Sequence, residues 1–361
     1  MTQTKVEAPF VENNRLFRNI IINGDMSIVQ REATQPGIQY AGYYSCDRWR
    51  YSTGTAGLGA FTMSQSTDVP GLGFTTSTKL DNTTADASPS ANEGVFLAQR
   101  IEGKNLQSIG KGTSDAKQLT LSFHVKTTKT GTYQVNLYDL DNTRIVGQTY
   151  VVSDTNWNKY TITFPADTSG AFTNDANLSL QLEFWLAAGS NYNSGAVPTS
   201  WEGGTNADRA AGLTVNLADN TSNDWYITGV QLEIGNAATD FEFLPVDVNL
   251  QRCERYFYAL DTVAATYFAT GFYYASGTLY AMFDFPVTMR GEPTLTSSNS
   301  SDSFTLYRAG AGDGMDDLAI SGSSNTQCAL VYNGTDVSGT AGDAGGLYAA
   351  TDAILQFSAE L

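Results

Sequence analysis

The sequence is poor in residues that support metal and redox chemistry. It contains one histidine, His124, and three cysteines, Cys46, Cys253 and Cys328, among 361 residues. The cysteines are odd in number and far apart, which argues against a disulfide framework or a Cys-pair metal site. Any Ser-His-Asp triad would have to use His124, and a site with two histidine ligands is excluded.

Basic residues are scarce as well. Lys and Arg number 20 against 37 Asp and Glu, which gives a net charge of −17. Because such a surface repels phosphate groups, we expect neither nucleic acid nor an anionic membrane as a partner. No apolar run approaches the roughly 18 residues of a membrane span. The N-terminus lacks the pattern of a signal peptide, so the sequence predicts synthesis in the cytosol without membrane insertion.

Helical spacing with terminal caps is missing too, whereas apolar and polar residues alternate repeatedly with a period of two. Clear examples are residues 119–126, 133–138, 160–164 and 178–186, and each predicts a β-strand with one buried face. The first two are separated by a short turn, which predicts a hairpin. The sequence therefore predicts an all-β protein, and its length suits two β domains.

The strongest strand candidate is Asp224–Ile234, which alternates over its whole length. We predict that it pairs at long range with residues 19–27, a β-branched run that contains an Asn-Gly turn signal. Everything between these segments would then belong to one sandwich. Pro245 and the four residues after it are predicted to form a linker. The predicted domains are an N-terminal arm (1–16), a first β domain (17–246) and a smaller C-terminal β domain (247–361).

The motifs with the most characteristic order lie at both ends of the first domain and along the second. They are Asn-Ile-Ile-Ile-Asn-Gly-Asp-Met-Ser-Ile-Val-Gln-Arg (19–31), Asp-Arg-Trp (47–49), Val-Gln-Leu-Glu-Ile-Gly (230–235), Ala-Thr-Asp-Phe-Glu-Phe (238–243), Gln-Arg-Cys-Glu-Arg-Tyr-Phe-Tyr (251–258), Phe-Pro-Val-Thr-Met-Arg-Gly-Glu-Pro-Thr (285–294) and Phe-Ser-Ala-Glu-Leu (357–361). In this order the motifs resemble bacteriophage tail-fibre and virion-fibre proteins, over almost the whole chain after residue 16.

This resemblance implies a jelly-roll β-sandwich similar to carbohydrate-binding modules, followed by a smaller C-terminal β-sandwich. It further implies a homotrimer on the tail or capsid surface of a virion that adsorbs to host surface glycans. The sequence has no coiled-coil heptads that would establish the oligomeric state independently. We expect the arm, residues 1–16, to attach the chain to other virion proteins.

A glycan site needs flat aromatic rings with amides and carboxylates beside them. Trp185 is the best candidate, because it shares the polar side of its predicted strand with Gln181 and Glu183. Two long polar stretches, 52–92 and 189–219, are predicted to be loops that pack on the sandwich or on a neighbouring subunit. The alternative for Trp185 is burial under such a loop or at a subunit interface. The predicted glycan-contacting residues are Trp185, Glu183, Gln181, Trp201, Tyr192 and His124.

Structural calcium is the one candidate cofactor. In carbohydrate-binding modules that this sequence resembles, the ion often lies between the first Asn-Gly-Asp turn and an Asp of the closing strand. The corresponding residues here are Asn23, Asp25 and Thr228. Because a hydroxyl is a weaker ligand than a carboxylate for this hard cation, Thr228 puts the site in doubt.

Two other functions remain open. The chain could decorate a capsid or act as an adaptor that binds other virion proteins. It could also be a polysaccharide depolymerase, since glycoside hydrolysis needs only two carboxylates and Glu183, Asp139 and Glu102 are available. No parallel β-helix repeat accompanies them, and we expect a non-enzymatic fibre.

Overall fold

The two-residue alternation is realised as strands throughout the protein, whose computed structural model describes residues 17–263, 265–298 and 300–361. The predicted arm, residues 1–16, lies outside this part. The strands before residue 235 are β1 (Thr34–Ile38), β2 (Gly42–Tyr43), β3 (Arg50–Thr53), β4 (Ala60–Ser66), β5 (Ser77–Thr84), β6 (Gly94–Glu102), β7 (Leu119–Thr127), β8 (Gly131–Asp139), β9 (Arg144–Val152), β10 (Asn158–Phe164), β11 (Leu178–Ala188), β12 (Glu202–Gly203) and β13 (Asp224–Ile234).

The later strands follow from residue 257 onwards. They are β14 (Phe257–Ala259), β15 (Thr266–Ala275), β16 (Thr278–Asp284), β17 (Thr294–Ser297), β18 (Phe304–Arg308), β19 (Ala311–Met315), β20 (Ala319–Ser323), β21 (Gln327–Asn333), β22 (Ala344–Ala349) and β23 (Leu355–Ser358). Helix is limited to α1 (Ser190–Asn193), α2 (Val246–Glu254) and four 3₁₀ turns at Gly103–Asn105, Gln107–Ile109, Asn206–Asp208 and Leu217–Asp219.

Strands β1 to β13 form the first sandwich, a jelly roll of two antiparallel sheets. One sheet has the order β1-β4-β5-β13-β7-β10 and the other β12-β9-β8-β11-β6-β3-β2. The inward side chains of both sheets fill one core, in which Phe184 makes edge contacts with Phe123 (ring centroids 5.0 Å apart) and lies 6.1 Å from Trp225. The predicted fold class is thus confirmed for this part of the chain.

Strands β14 to β23 form the C-terminal sandwich. A three-stranded sheet, β14-β23-β17, packs against a seven-stranded sheet, β19-β18-β22-β15-β16-β21-β20, and a separate core lies between them. The predicted linker, Pro245 and the four residues after it, is helical, because α2 begins at Val246 directly after Pro245. A proline is tolerated at a helix start, where its missing N–H has no partner to lose.

The predicted pairing of the N-terminal segment with β13 is confirmed. The amide of Ile20 donates to the carbonyl of Leu232 (2.9 Å), and the amide of Val230 donates to the carbonyl of Gly24 (2.9 Å). Residues 19–27 nevertheless form no regular strand, because Asn23 has a positive φ of 55°. A Cβ at position 24 would lie 2.1 Å from the carbonyl oxygen of Val230, so this close approach requires glycine.

Two local predictions are wrong. β7 and β8 do not form a hairpin, since β7 pairs with β10 and β13 in one sheet while β8 pairs with β9 and β11 in the other. Alternation shows which side chains share a face, but it does not specify the neighbouring strand. The stretch 52–92 is not a loop either, because it contains β4 and β5, and β5 pairs directly with the central strand β13.

Candidate functional site

The outer face of β11 carries the residues predicted to bind a glycan, and that face is covered. Trp185 and Glu183 are fully buried, and Gln181 is nearly so. The Trp185 indole N–H donates to Glu183 Oε2 (2.8 Å), and Gln181 Nε2 donates to Glu183 Oε1 (2.7 Å). The sequence therefore correctly placed these three side chains in one row, but the row is not open to solvent.

The covering element is the segment 189–219, which folds back over the strand. Tyr192 from this segment packs on Trp185 with ring centroids 5.2 Å apart, and Phe96 stacks on Trp185 at 4.5 Å. The predicted use of Trp185 as an exposed sugar platform, with Tyr192 at its rim, is wrong for this conformation, because both rings are already buried in contact with protein. The alternative left open by the sequence, burial under a long loop, is what the structure shows.

Polar groups of the same sheet hold the segment in place. Asn136 Nδ2 donates to the carbonyl of Arg209 (2.6 Å), and Gln134 Nε2 donates to the carbonyl of Asp208 (2.8 Å). The amide of Gly212 returns a hydrogen bond to Gln134 Oε1 (2.7 Å). The amide side chains on this face thus bind the chain's own backbone, in the position where an external ligand was expected.

Arg209 completes the buried cluster. Its guanidinium donates to Glu183 through Nη2 (2.5 Å) and Nε (3.1 Å) and lies 5.2 Å from the ring centroids of Phe96 and Trp185. Burial by itself would lower the pKa of Arg209, but the adjacent Glu183 carboxylate outweighs this effect and raises it. Arg209 and Glu183 thus form a neutralised ion pair beside the rings of Phe96 and Trp185. This buried pair has a structural role.

The other two predicted glycan residues lie elsewhere. Trp201 is half-buried, and its indole N–H donates to the carbonyl of Pro165 (2.9 Å) while the Lys111 ammonium lies 5.0 Å from its ring centroid. His124 belongs to β7, in the opposite sheet from Trp185. The predicted grouping of His124 with Trp185 is therefore wrong, because the two side chains lie on outer faces of different sheets.

His124 is covered by aromatic rings. The Phe74 ring centroid lies 5.3 Å from the imidazole, and Phe241 and Phe243 pack on Phe74 in turn. Neither imidazole nitrogen has a hydrogen-bond partner among the described residues. Burial, with a smaller contribution from Lys159, lowers the pKa of His124 to about 4, so the ring is neutral at physiological pH.

Two of the three predicted calcium ligands meet, because the Thr228 hydroxyl lies 3.3 Å from the carbonyl oxygen of Asp25, while the Asn23 side chain is engaged elsewhere. Asn23 Nδ2 donates to the carbonyls of Ile28 and Asp47, whereas the Asp25 carboxylate accepts from Asn249 (3.2 Å). The Thr228 hydroxyl hydrogen-bonds to the carbonyl of Thr76 (2.8 Å). Across residues 17–263, 265–298 and 300–361, no group of three or more acidic, histidine or cysteine side chains is arranged for a metal. Asn23 and Thr228 are thus already hydrogen-bonded within the protein, and bound calcium stays a prediction.

The carboxylates considered for hydrolysis are separated by their partners. Glu183 pairs with Arg209, Asp139 with Lys111 (2.5 Å), and Glu102 with Arg255 (2.8 Å), in three side-chain ion pairs that are largely buried. Burial alone would raise the pKa of Glu102, but the hydrogen bonds from Arg255 and Tyr256 lower it. These three acids do not form an open acid–base pair, and the absence of enzyme activity stays a prediction.

The sequence missed a groove at the junction of the two sandwiches. It has a volume of about 350 Å³ and lies where the segment from Arg31 to Tyr44 faces the three-stranded sheet β14-β23-β17. The Arg31 guanidinium lies 3.5 Å above the Phe257 ring and 5.5 Å from the Tyr43 ring. The lining residues are Arg31, Glu32, Gln35, Tyr43, Tyr44, Phe257, Thr296, Gln356 and Ser358. No local signal marks them, because they come from four distant parts of the chain.

Arginines fix the C-terminal residues beside this groove. Arg48 and Arg31 both pair with Glu360, the latter at 3.2 Å. Arg100 donates to the carbonyl of Leu361 (2.7 Å), and Arg290 donates to the carbonyl of Ala359 (2.6 Å). We call these four arginines the arginine clamp. It joins the C-terminal segment of the second sandwich to the first sandwich.

The comparisons with known proteins give structural similarities only. No protein-family model matches the sequence, and no curated protein sequence matches it significantly. Similar solved structures include tailspike protein 4 of bacteriophage CBA120, an enzymatically active domain (14% identity, TM-score 0.31, 60% of this chain and 21% of that chain). The matched part therefore spans about a fifth of that tailspike chain.

Two further similar structures match almost their whole length. One is the family 11 carbohydrate-binding module of a cellulosomal cellulase of Clostridium thermocellum (9% identity, TM-score 0.28, 62% of this chain and 97% of that chain). The other is a cyclase from Fischerella sp. TAU (12% identity, TM-score 0.34, 61% and 98%). Since every TM-score is below 0.5, these likenesses carry no argument about ligand or activity.

Within the described residues, no helix is long and apolar enough to cross a membrane.

The buried ion pair predicts a strong dependence of stability on Arg209. Arg209→Leu leaves the Glu183 carboxylate buried without a cation, and we expect a loss of about 3–5 kcal/mol in the free energy of unfolding. The double variant Arg209→Leu/Glu183→Leu should lose less, since no charge is then stranded. Urea denaturation measures both. Lys79→Leu, which removes a partly exposed pair with Asp81, is the control and should cost under about 1 kcal/mol; equal losses in all three variants would contradict the prediction.

His124 predicts loss of stability in acid. Because its pKa is lowered from 6.5 to about 4 in the folded chain, the unfolded chain takes up a proton first as the pH falls. The contribution of neutral His124 to the free energy of unfolding is therefore present above about pH 6.5 and is lost progressively towards about pH 4. His124→Leu removes this proton uptake. We expect unfolding midpoints of the variant to fall less than those of the wild type over this range, and parallel curves would refute the assignment.

Proposed function

We propose that the chain is a non-enzymatic bacteriophage virion fibre that assembles as a homotrimer and adsorbs to host surface glycans. Binding through several copies would convert weak single contacts into firm attachment, because each further contact forms at high effective concentration. The order of motifs along the sequence and the two-sandwich all-β architecture support this function. The arm, residues 1–16, is proposed to attach each chain to the particle.

The observation that carries the proposal is an exposed aromatic face on the seven-stranded sheet of the C-terminal sandwich. Tyr274 is 69% exposed, Tyr267 61% and Met282 51%, which is unusual for large apolar side chains on adjacent strands. The face consists of Tyr267, Phe272, Tyr274, Tyr280, Met282, Tyr307 and Tyr348. Contiguous exposed apolar surface of this kind marks an interaction site.

At this face, charge does not oppose contact with another copy of the same chain. Each chain carries a net charge of −17, so two copies repel one another over most of their surface. None of the residues that define the aromatic face is charged, and Tyr267, Tyr307 and Tyr348 already contact one another edge to face. Subunits can approach closely through such a surface, which supports assembly into an oligomer.

The oligomer predicts a specific effect of polar substitutions. Tyr274→Ser combined with Met282→Ser should shift the mass in solution from trimer towards monomer, because both side chains lose contact area at the interface. Sedimentation velocity or mass photometry measures this mass. Leu72→Ser with Val151→Ser, two exposed residues on the first sandwich, is the matched control and should leave the trimer intact. A wild-type monomer would instead favour the adaptor role, in which the aromatic face binds another virion protein.

Adsorption predicts binding to polysaccharide without cleavage. Purified trimer applied to an array of bacterial capsular and O-antigen polysaccharides should bind a subset, and the monomeric variant should bind the same subset about a hundredfold more weakly. Incubation with the bound polysaccharides should release no new reducing ends. Absence of binding across the array would refute adsorption to glycans, and release of reducing ends would indicate a depolymerase.

A further inference from the structure

We infer that the groove between the two sandwiches is the glycan-contacting site, and that it takes an uncharged pyranose oligosaccharide. The inference rests on the proposed function and gives it a location and a ligand class. It moves the site from the outer face of β11, which the segment 189–219 covers, to a place that only the junction of the sandwiches creates. Its volume of about 350 Å³ lies within the usual range for small-ligand pockets, about 300–1,000 Å³.

Two tyrosine rings form one wall of the groove. The Tyr43 hydroxyl donates to the carbonyl of Leu361 (3.1 Å), and the Tyr44 hydroxyl donates to the carbonyl of Tyr40 (3.0 Å). The Tyr44 ring also packs edge to face on the fully buried Tyr51. The rings are thus held in fixed orientations, so little side-chain entropy is lost when a ligand packs on them. Fixed aromatic surface of this kind suits the apolar CH faces of a pyranose.

The opposite wall presents hydrogen-bonding groups. Gln356 and Ser358 are two residues apart on β23 and therefore share a face, and Thr296 of β17 pairs directly with Gln356. All three line the groove, and their side chains make no hydrogen bond to another residue of the described ranges. An amide and two hydroxyls that both donate and accept are suited to sugar hydroxyl groups.

Charge excludes an acidic sugar. Among the residues that the structure describes, Arg31 is the one cation lining the groove, and it is already paired with Asp47 (3.4 Å) and Glu360 (3.2 Å). Glu32 also lines the groove, is exposed and has no cationic partner within 4.0 Å among the described residues. A ligand carboxylate or sulfate would therefore meet a carboxylate and no free positive charge, whereas a neutral ligand avoids this repulsion.

The arginine clamp makes the groove a preformed site. Arg48 and Arg31 hold Glu360 of the second sandwich against the first, and Arg31 simultaneously stacks on Phe257. The two walls are thereby fixed relative to one another without a ligand. A preformed site needs no ordering step on binding, which favours recognition of short and flexible glycan ends.

The experiment is calorimetric titration of the full chain with neutral hexasaccharides (maltohexaose, cellohexaose and N-acetylated chitohexaose) and with an acidic one (hexagalacturonate). We expect the wild type to bind at least one neutral probe and not the acidic probe. Gln356→Ala and Thr296→Val should each weaken binding about five- to tenfold, because a hydrogen bond to the ligand is lost. Gln327→Ala, an exposed strand glutamine on the seven-stranded sheet, is the matched control and should bind as the wild type does.

Thermal unfolding of each variant separates loss of binding from loss of structure, since Gln356 and Thr296 lie at the surface and should leave the midpoint unchanged. Glu32→Gln should allow the acidic probe to bind by removing the repelling charge. Unchanged affinity in both groove variants, preference for the acidic probe, or no binding of any hexasaccharide would overturn the inference. If one of these results is found but the wild type still binds the polysaccharide array, the groove is not the glycan site and the proposed adsorption to glycans is retained. If the wild type does not bind the array either, the proposed function is refuted as well.

Discussion

The backbone pairing of the N-terminal segment with β13 is the constraint on which the rest of the structure depends. It fixes Asn23, whose side chain holds the backbone of Ile28 and Asp47 and whose carbonyl accepts from the Trp49 indole (2.9 Å). Asp47 in turn pairs with Arg31, and burial raises the pKa of Asp47 to about 6 although Arg31 and Gln30 oppose this. One chain of contacts thus runs from the central strand to the groove.

The face expected to bind a glycan is occupied because its chemistry suits polypeptide equally well. Side-chain amides that can hydrogen-bond to sugar hydroxyls can also hydrogen-bond to backbone carbonyls. Gln134 and Asn136 donate to backbone carbonyls of the segment 189–219. Trp185 contributes apolar contact area to this packing, and Arg209 neutralises Glu183. A buried pair of this kind adds little net stability, but it specifies how the segment lies on the sheet.

The two proposed functions, subunit contact and glycan contact, lie on different surfaces. The seven-stranded sheet of the C-terminal sandwich presents an aromatic face suited to subunit contact, and the three-stranded sheet faces the first sandwich across the groove. The arginine clamp joins the C-terminal residues beside the three-stranded sheet to the first sandwich through Glu360 and the neighbouring carbonyls. Since the clamp is formed by charges that are largely buried, it is screened by salt less than surface pairs are.

What the sequence determined by itself is the local structure. Alternation with a period of two reports which side chains of a strand share a face, so β7, β11 and β13 were predicted within about two residues, and the all-β class followed. The tertiary structure alone decided which strands are neighbours, which separated β7 from β8. It also decided that the segment 189–219 covers Trp185, that Phe74 covers His124, and that Tyr44 and Gln356 line one groove. These outcomes depend on contacts between different segments of the chain, about which a local pattern carries no information.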